Sequence, residues 1–379
     1  MRDSKTVIRW LGAMLVALVL LVLAAHLILE RRFNTEHVQQ RLAATVARHS
    51  DSLYLIRIGS AHFSLLGRSL LISGLELSPD TAAFARRGKL APVSGTRFLV
   101  TAASLHVTGI DLWRFLRNQV WVHSAELDSM RAEVLVDRTR PRRPEHPVRL
   151  PHQVLQAAGL LRIDRFQIAH SQIRFSERAS DGARYGTLRF DSLDVAASNL
   201  TDDPLRMSVA TPCEIEVRAL LEGVGPTAVR FDYDLVAPRL NLLFHGSVSR
   251  FGGRALNDIL VDYEGFRIRS GELDSLWFDV TVRDDTATGK LKLLYHDLEI
   301  ETLDKVSRER DLGDLLRTFI FNHFKLQSEN PSSGAPPRVI ALWHQRRPED
   351  GFFRTFWRTL RAGIFQTLGI AASPRSSTS

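Results

Sequence analysis

The sequence predicts a mainly β protein: an elongated, curved antiparallel sheet with one apolar side, with a transmembrane helix before it and an amphipathic helix after it. Three observations predict this class. Leu11 to Leu29 is an apolar run broken only by Gly12 and His26, and about twenty such residues at 1.5 Å rise per residue cross a bilayer core. From Leu53 onward the hydrophobic period is two, the period of a strand. In Phe353 to Leu368 it returns to that of a helix.

Taken in order, segment 1–32 reads as a cytoplasmic leader followed by an uncleaved signal anchor. Glu30, Arg31 and Arg32 follow the apolar run directly, with no small-residue cleavage site. Arg2, Lys5 and Arg9 outweigh Asp3 in the leader, which favours a cytoplasmic N-terminus and a translocated body. The expected location is therefore the bacterial inner membrane, crossed once, with the bulk of the chain in the periplasm. Cys213 is the single cysteine, so no internal disulfide framework or Cys cluster for zinc exists.

Segment 33–137 is expected to hold a juxtamembrane helix and a first β unit. Val38, Leu42 and Val46 recur at i, i+4 and predict a helix over Thr35 to His49. Segment 138–158 sets Arg140, Arg142, Arg143 and Arg149 among Pro141, Pro144, Pro147 and Pro151, too many prolines for a strand interior. It reads as a rim loop or linker before a second β unit, 159–306. Leu312, Leu315, Leu316, Phe319 and Ile320 then predict a helix over 307–326, and 327–339 is a flexible connector.

A spacing recurs within the β units. Ile58, Ala61, Phe63, Leu66, Leu70 and Ile72 match Val122, Ala125, Leu127, Met130, Val134 and Val136; Ile163, Phe166, Ile168, Ile173 and Phe175 match again, as do Ile268, Gly271, Leu273, Leu276, Phe278 and Val280. Each copy is expected to be a strand, a bend or bulge, and a strand returning beside it. Stacked, such units give a long sheet with one apolar side; an ordinary filled sandwich would show the same alternation. The final segment, 340–379, carries a helix over 352–369. Phe353, Phe356, Trp357, Leu360, Ile364 and Leu368 share a face flanked by Arg354, Arg358 and Arg361, a pattern for the headgroup region of an anionic bilayer or for a closing helix packed on the sheet.

Catalytic motifs are missing, so a non-enzymatic role without cofactor or metal is expected. The thirteen histidines form no His-Glu-x-x-His or Cys/His grouping, and there is no phosphate-binding glycine loop or Gly-x-Ser-x-Gly elbow. Gly223-Val224-Gly225 and Gly252-Gly253 read as turns, and Asp191, Asp194, Asp274, Asp279, Asp284 and Asp285 as solvated carboxylates. The formal charge of +8 comes from dispersed arginines without interleaved aromatics, which points to anionic lipid rather than nucleic acid.

Ile56-Arg57-Ile58-Gly59-Ser60-Ala61, Leu71 to Leu77, Leu161 to Ile168 and Phe266 to Leu298 together resemble the AsmA-like bacterial envelope proteins and their relatives of unknown function. That group is similar to bridge-like lipid transfer proteins, with an inner-membrane helix and a periplasmic β-trough. The resemblance implies that the sheet forms a β-groove and that Ile58, Phe63, Val122, Leu127, Ile163, Ile168, Ile173, Phe175, Ile268, Leu273, Phe278 and Val280 form an apolar face that contacts lipid. Its expected partners are a membrane phospholipid or other envelope lipid, the inner membrane, and an outer-membrane or envelope protein. The chain is short for the group: some two dozen strands at about 4.8 Å spacing would reach roughly 110 Å. The rival expectation is a scaffold for outer-membrane assembly that carries no lipid.

Overall fold

The computed structural model describes residues 35–90, 95–115, 117, 119–137, 139, 161–178, 184–203, 205–208, 210–303, 327–348 and 350–369. Fourteen strands form a single sheet in the order β1-β3-β4-β5-β7-β8-β9-β10-β11-β12-β13-β14, with β2 beside β3 and β6 between β4 and β7. They are β1 Tyr54–Arg57, β2 Ser60–Ser64, β3 Ser69–Pro79, β4 Thr96–Thr108, β5 Val120–Asp128, β6 Arg131–Asp137 and β7 Leu161–Arg178. After these come β8 Gly186–Thr201, β9 Cys213–Leu221, β10 Gly225–Tyr233, β11 Leu242–Gly252, β12 Phe266–Arg283, β13 Thr286–Thr302 and β14 Val339–Gln345. Three helices matter to the argument: α1 Thr35–His49, α2 Thr81–Leu90 and α3 Phe352–Thr367.

The sheet is mixed, which corrects the antiparallel expectation. β5 and β6 both pair with β7 in parallel, Val120 opposite Leu161 and Arg131 opposite Gln172. Parallel neighbours need a crossover connection, and β7 accordingly begins, at Leu161, at the same end of the sheet as β5. Period-two alternation is the same in either orientation, which is why the sequence did not reveal this.

The membrane helix of the expected fold is corrected as well. Among the described residues no helix is long and apolar enough to cross a membrane. The run Leu11 to Leu29, on which the signal anchor and the single-pass inner-membrane location rested, lies outside the described residues, as do the helix expected over 307–326 and most of 138–158.

The recurrent spacing has a different meaning from the one expected. Only its first copy turns back, in the β2–β3 hairpin with Phe63 opposite Leu70. In the later copies the chain runs straight on: β5 and β6 lie end to end along β7, and β7 and β12 are single strands of 18 residues. An odd step between apolar residues marks a bulge, where a left-handed residue changes which side the following residues face. Gly74, Ser129, His170 and Ser192 have φ of 64°, 51°, 51° and 46°. The pairings of β3, β4, β5–β6, β7 and β8 place them on one line across the sheet. Leu127 and Met130 thus reach the same apolar cluster across Ser129, and so do Ile168 and Ile173 across His170. The line is stitched by Ser129 N donating to Ala169 O (2.9 Å), Met130 N to Ser171 Oγ (2.9 Å) and His170 N to Asp194 Oδ1 (3.1 Å).

Candidate functional site

Following the pairings from strand to strand yields two unbroken apolar rows on one face. The first is Phe63, Leu70, Val107, Ala125, Phe166, Ala197, Ile215, Phe231, Phe244, Val280, Gly289 and Leu342. The second is Ala61, Ile72, Leu105, Leu127, Ile168, Val195, Val217, Val229, Gly246, Phe278, Leu291 and Ile340. At about 4.8 Å per strand each row is about 50 Å long. The row between them, on the opposite face, is polar in character: His62, Leu71, His106, Glu126, Gln167, Ala196, Glu216, Arg230, His245, Asp279, Lys290 and Ala341. Gly246 belongs to the apolar row because a Cβ there would meet the Phe278 ring, which occupies its place, and the carbonyl of Ala228.

Phe63 and Val280 fall on the first row and Leu127, Ile168 and Phe278 on the second. Beyond the bulge line, Ile173 continues a row from Leu77 through Val100, Ala132, Phe190 and Leu221, and Phe175 sits between Val134 and Leu188. Val122 pairs with Ile163 beside Phe63 and Ile110. Leu273 lies between Phe251 and Tyr295, Ile268 opposite Ile300, and Ile58 against α1. Sequence reasoning missed Leu105, Val107, Val195, Val217 and Val229, because no single-strand pattern shows which residues stand opposite one another.

The face is covered at both ends. Val38 and Leu42 of α1 pack on Ala61, Ile72, Ile58, Leu70 and Leu105. Gln39 clasps the edge of β1, donating from Nε2 to Ile56 O (2.6 Å) and accepting at Oε1 from Ile58 N (2.8 Å). At the other end α3 lies over β10 to β14, with the Phe356 ring 5.7, 5.0 and 5.9 Å from those of Phe231, Phe244 and Phe278. Leu360, Ile364 and Leu368 join the same core. Arg358 donates to buried Asp350 (2.7 Å), Arg354 lies 3.6 Å from the same carboxylate, and Arg361 stacks on Phe365. Phe353 and Trp357 remain exposed on the outer side. Between the covered ends, Leu127, Phe166, Ile168, Val195, Ile215 and Val217 are only half-buried.

The polar side carries His–Asp pairs along the irregular positions. His170 Nδ1 meets Asp128 Oδ1 at 2.8 Å and His296 Nδ1 meets Asp274 Oδ2 at 2.8 Å. The hydrogen bond to each carboxylate raises both imidazoles above their usual value. Burial alone would raise the Asp137 carboxyl; hydrogen bonds from Arg178 and Thr139 outweigh it and hold it down at about 2. Burial pushes the Cys213 thiol up to about 12, so it is no nucleophile at neutral pH. Among the described residues no group of three or more His, Cys, Asp or Glu could hold a metal ion.

No family model matches the chain, and no curated protein matches it significantly.

Proposed function

We propose that this protein holds lipid acyl chains on the open middle of its apolar face, from β5 to β9. The observation that supports this reading is the pair of uninterrupted apolar rows, free of charged residues, whose larger side chains are half-buried there while Ala125 and Ala197 are buried. Each CH₂ sheltered from water contributes about 0.8 kcal/mol, so a few aliphatic neighbours along an acyl chain suffice for partition. The rows supply such neighbours without a break, while Glu126, Glu216 and Arg230 keep the reverse face wet. The reaction is burial, with no bond made or broken.

The test is lipid extraction and native mass spectrometry on the full-length chain, beside a Leu127→Asp, Ile168→Asp variant and a Glu126→Lys control on the polar face. Phospholipid in the wild type and the control but missing from a variant with unchanged circular dichroism supports the reading. A scaffold role is the second reading, favoured by α3, which already fills one end of the face with Phe352 and Phe356. Lipid-free wild-type protein would overturn the first reading in favour of the second.

A further inference from the structure

One end of the strands carries a feature that the acyl-chain reading leaves unused. Three connections meet at this end: Leu65–Arg68 between β2 and β3, Gly109–Gln119 between β4 and β5, and 202–212 between β8 and β9. Among the described residues each presents one large apolar side chain to solvent, Leu66 at 74 % exposure, Trp113 at 68 % and Leu205 at 94 %. Water-exposed leucines and tryptophans are unremarkable singly; one on each of three connections along about 24 Å of a single rim is a pattern.

The tips are tied to the face behind them. Leu65 and Leu112, the chain neighbours of two tips, turn inward onto Phe63, Ile110 and Val122. The first two connections are locked together: Ile110 N donates to Arg68 O and Arg68 Nε to Ile110 O, both at 2.9 Å. The first two connections therefore form a joined border of the apolar face.

The formal charge of the rim is slightly positive, with Arg68, Arg114, Arg117 and Arg206 against Asp111, Asp202 and Asp203, and Arg114 lies 3.7 Å from Asp111. Arg68, Arg117 and Arg206 are exposed and form no ion pair with a described residue. The acids of the same connections are turned onto backbone amides, Asp111 to Arg114 N (3.1 Å), Asp202 to Leu161 N (3.0 Å) and Asp203 to Leu205 N (3.0 Å). Beside the third tip an open cavity of about 920 Å³ is lined by Arg114, Trp121, Asn199, Leu205, Arg206 and Glu214. Arg114 stacks on Trp121 with its guanidinium carbon 3.3 Å from the ring centroid. Apolar tips with arginines between them match a lipid–water interface, where the tips enter the acyl boundary and the cations meet phosphates.

We propose that this rim docks on the surface of an anionic lipid bilayer and so sets the apolar face against its lipid source. The proposal rests on the acyl-chain reading, and its test keeps the two apart. Single cysteines at Leu66→Cys and Leu205→Cys in the full-length chain take an environment-sensitive fluorophore, since native Cys213 is fully buried. Val224→Cys, in the β9–β10 turn at the far end of the strands, is the control. With phosphatidylglycerol-containing vesicles carrying nitroxide-labelled lipid, the labels at 66 and 205 are expected to be quenched about twofold or more, with little quenching at 224 or on phosphatidylcholine alone. No quenching at 66 and 205, or equal quenching at 224, overturns the proposal. A Leu66→Ser, Trp113→Ser, Leu205→Ser variant is expected to keep its co-purified lipid while a label at Gly67→Cys on the same rim escapes quenching. Unchanged quenching of that label also overturns the proposal. Rim quenching in a protein that extracts no lipid would leave docking standing and sink the acyl-chain reading alone.

Discussion

The two halves of the sheet share the same apolar rows but use them differently. Over β10 to β14 the rows end under α3, and Phe231, Phe244, Phe278, Val280 and Leu291 are buried in the largest hydrophobic core among the described residues. Over β5 to β9 Ile168, Val195 and Val217 of the same rows stay half-buried in a smaller cluster whose fully buried members are Ala102, Met130, Leu193 and Ala219, and Phe166 is half-buried as well. An apolar residue stabilises the fold in proportion to the area it loses from water. The covered half therefore contributes more to stability, and the open half leaves more of its apolar area in contact with water.

The sharpest way to break this comparison is to truncate the same row in each half. Phe244 is buried against Phe278 and Phe356 with centroids 6.0 and 5.0 Å away. Phe244→Ala is expected to lower stability by about 3–5 kcal/mol, as large core truncations do. Phe166→Ala, on the same row but half-buried, is expected to cost less than half as much in the same chemical denaturation. Equal losses would mean that the open half is as well covered as the other.

A smaller effect distinguishes the two ends. The clasp of α1 on β1 rests on the carboxamide of Gln39, so Gln39→Ala leaves Ile56 O and Ile58 N without that partner. A loss of about 1–2 kcal/mol is expected, seen as faster amide exchange at Ile58 with no change at Phe244. Spread of the faster exchange to β10–β14 would show that the halves unfold as one unit.

The smallest effect is a pH dependence. His170 and His296 have folded values raised above 6.5 by Asp128 and Asp274. Their contribution is fully present below 6.5 and is lost as pH rises through the raised folded values. The His170 pair is exposed and the His296 pair is half-buried, so solvent screens both and a slight fall in melting temperature across that window is expected, abolished in a His170→Gln, His296→Gln variant. A rise in stability over the same window would contradict the pairing.

Much of the strand content was legible because alternation is a local signal. The copies at Val122–Val136 and Ile163–Phe175 lie on strands, and Val38, Leu42 and Val46 marked the helix that became α1. The odd spacings are visible too, but Ser129 carries no sign of a left-handed conformation and a single His such as His170 carries a weak one, so the spacing alone does not separate a bulge from a reversal. On α3, the arginines and aromatics of Phe353 to Leu368 suited either a bilayer or a protein core. Three phenylalanines brought together from β10, β11 and β12 give Phe356 its seat, and no local pattern could supply that contact.

Amino-acid order by itself determined that the body is built from strands with one apolar side, because side-chain alternation along a strand needs no knowledge of neighbours. Tertiary structure alone decided the parallel crossover at β7, the alignment of apolar residues into two continuous rows, and which end α3 covers. Those depend on pairing register and on contacts between residues far apart in the chain, and the same alternating sequence is compatible with several of each.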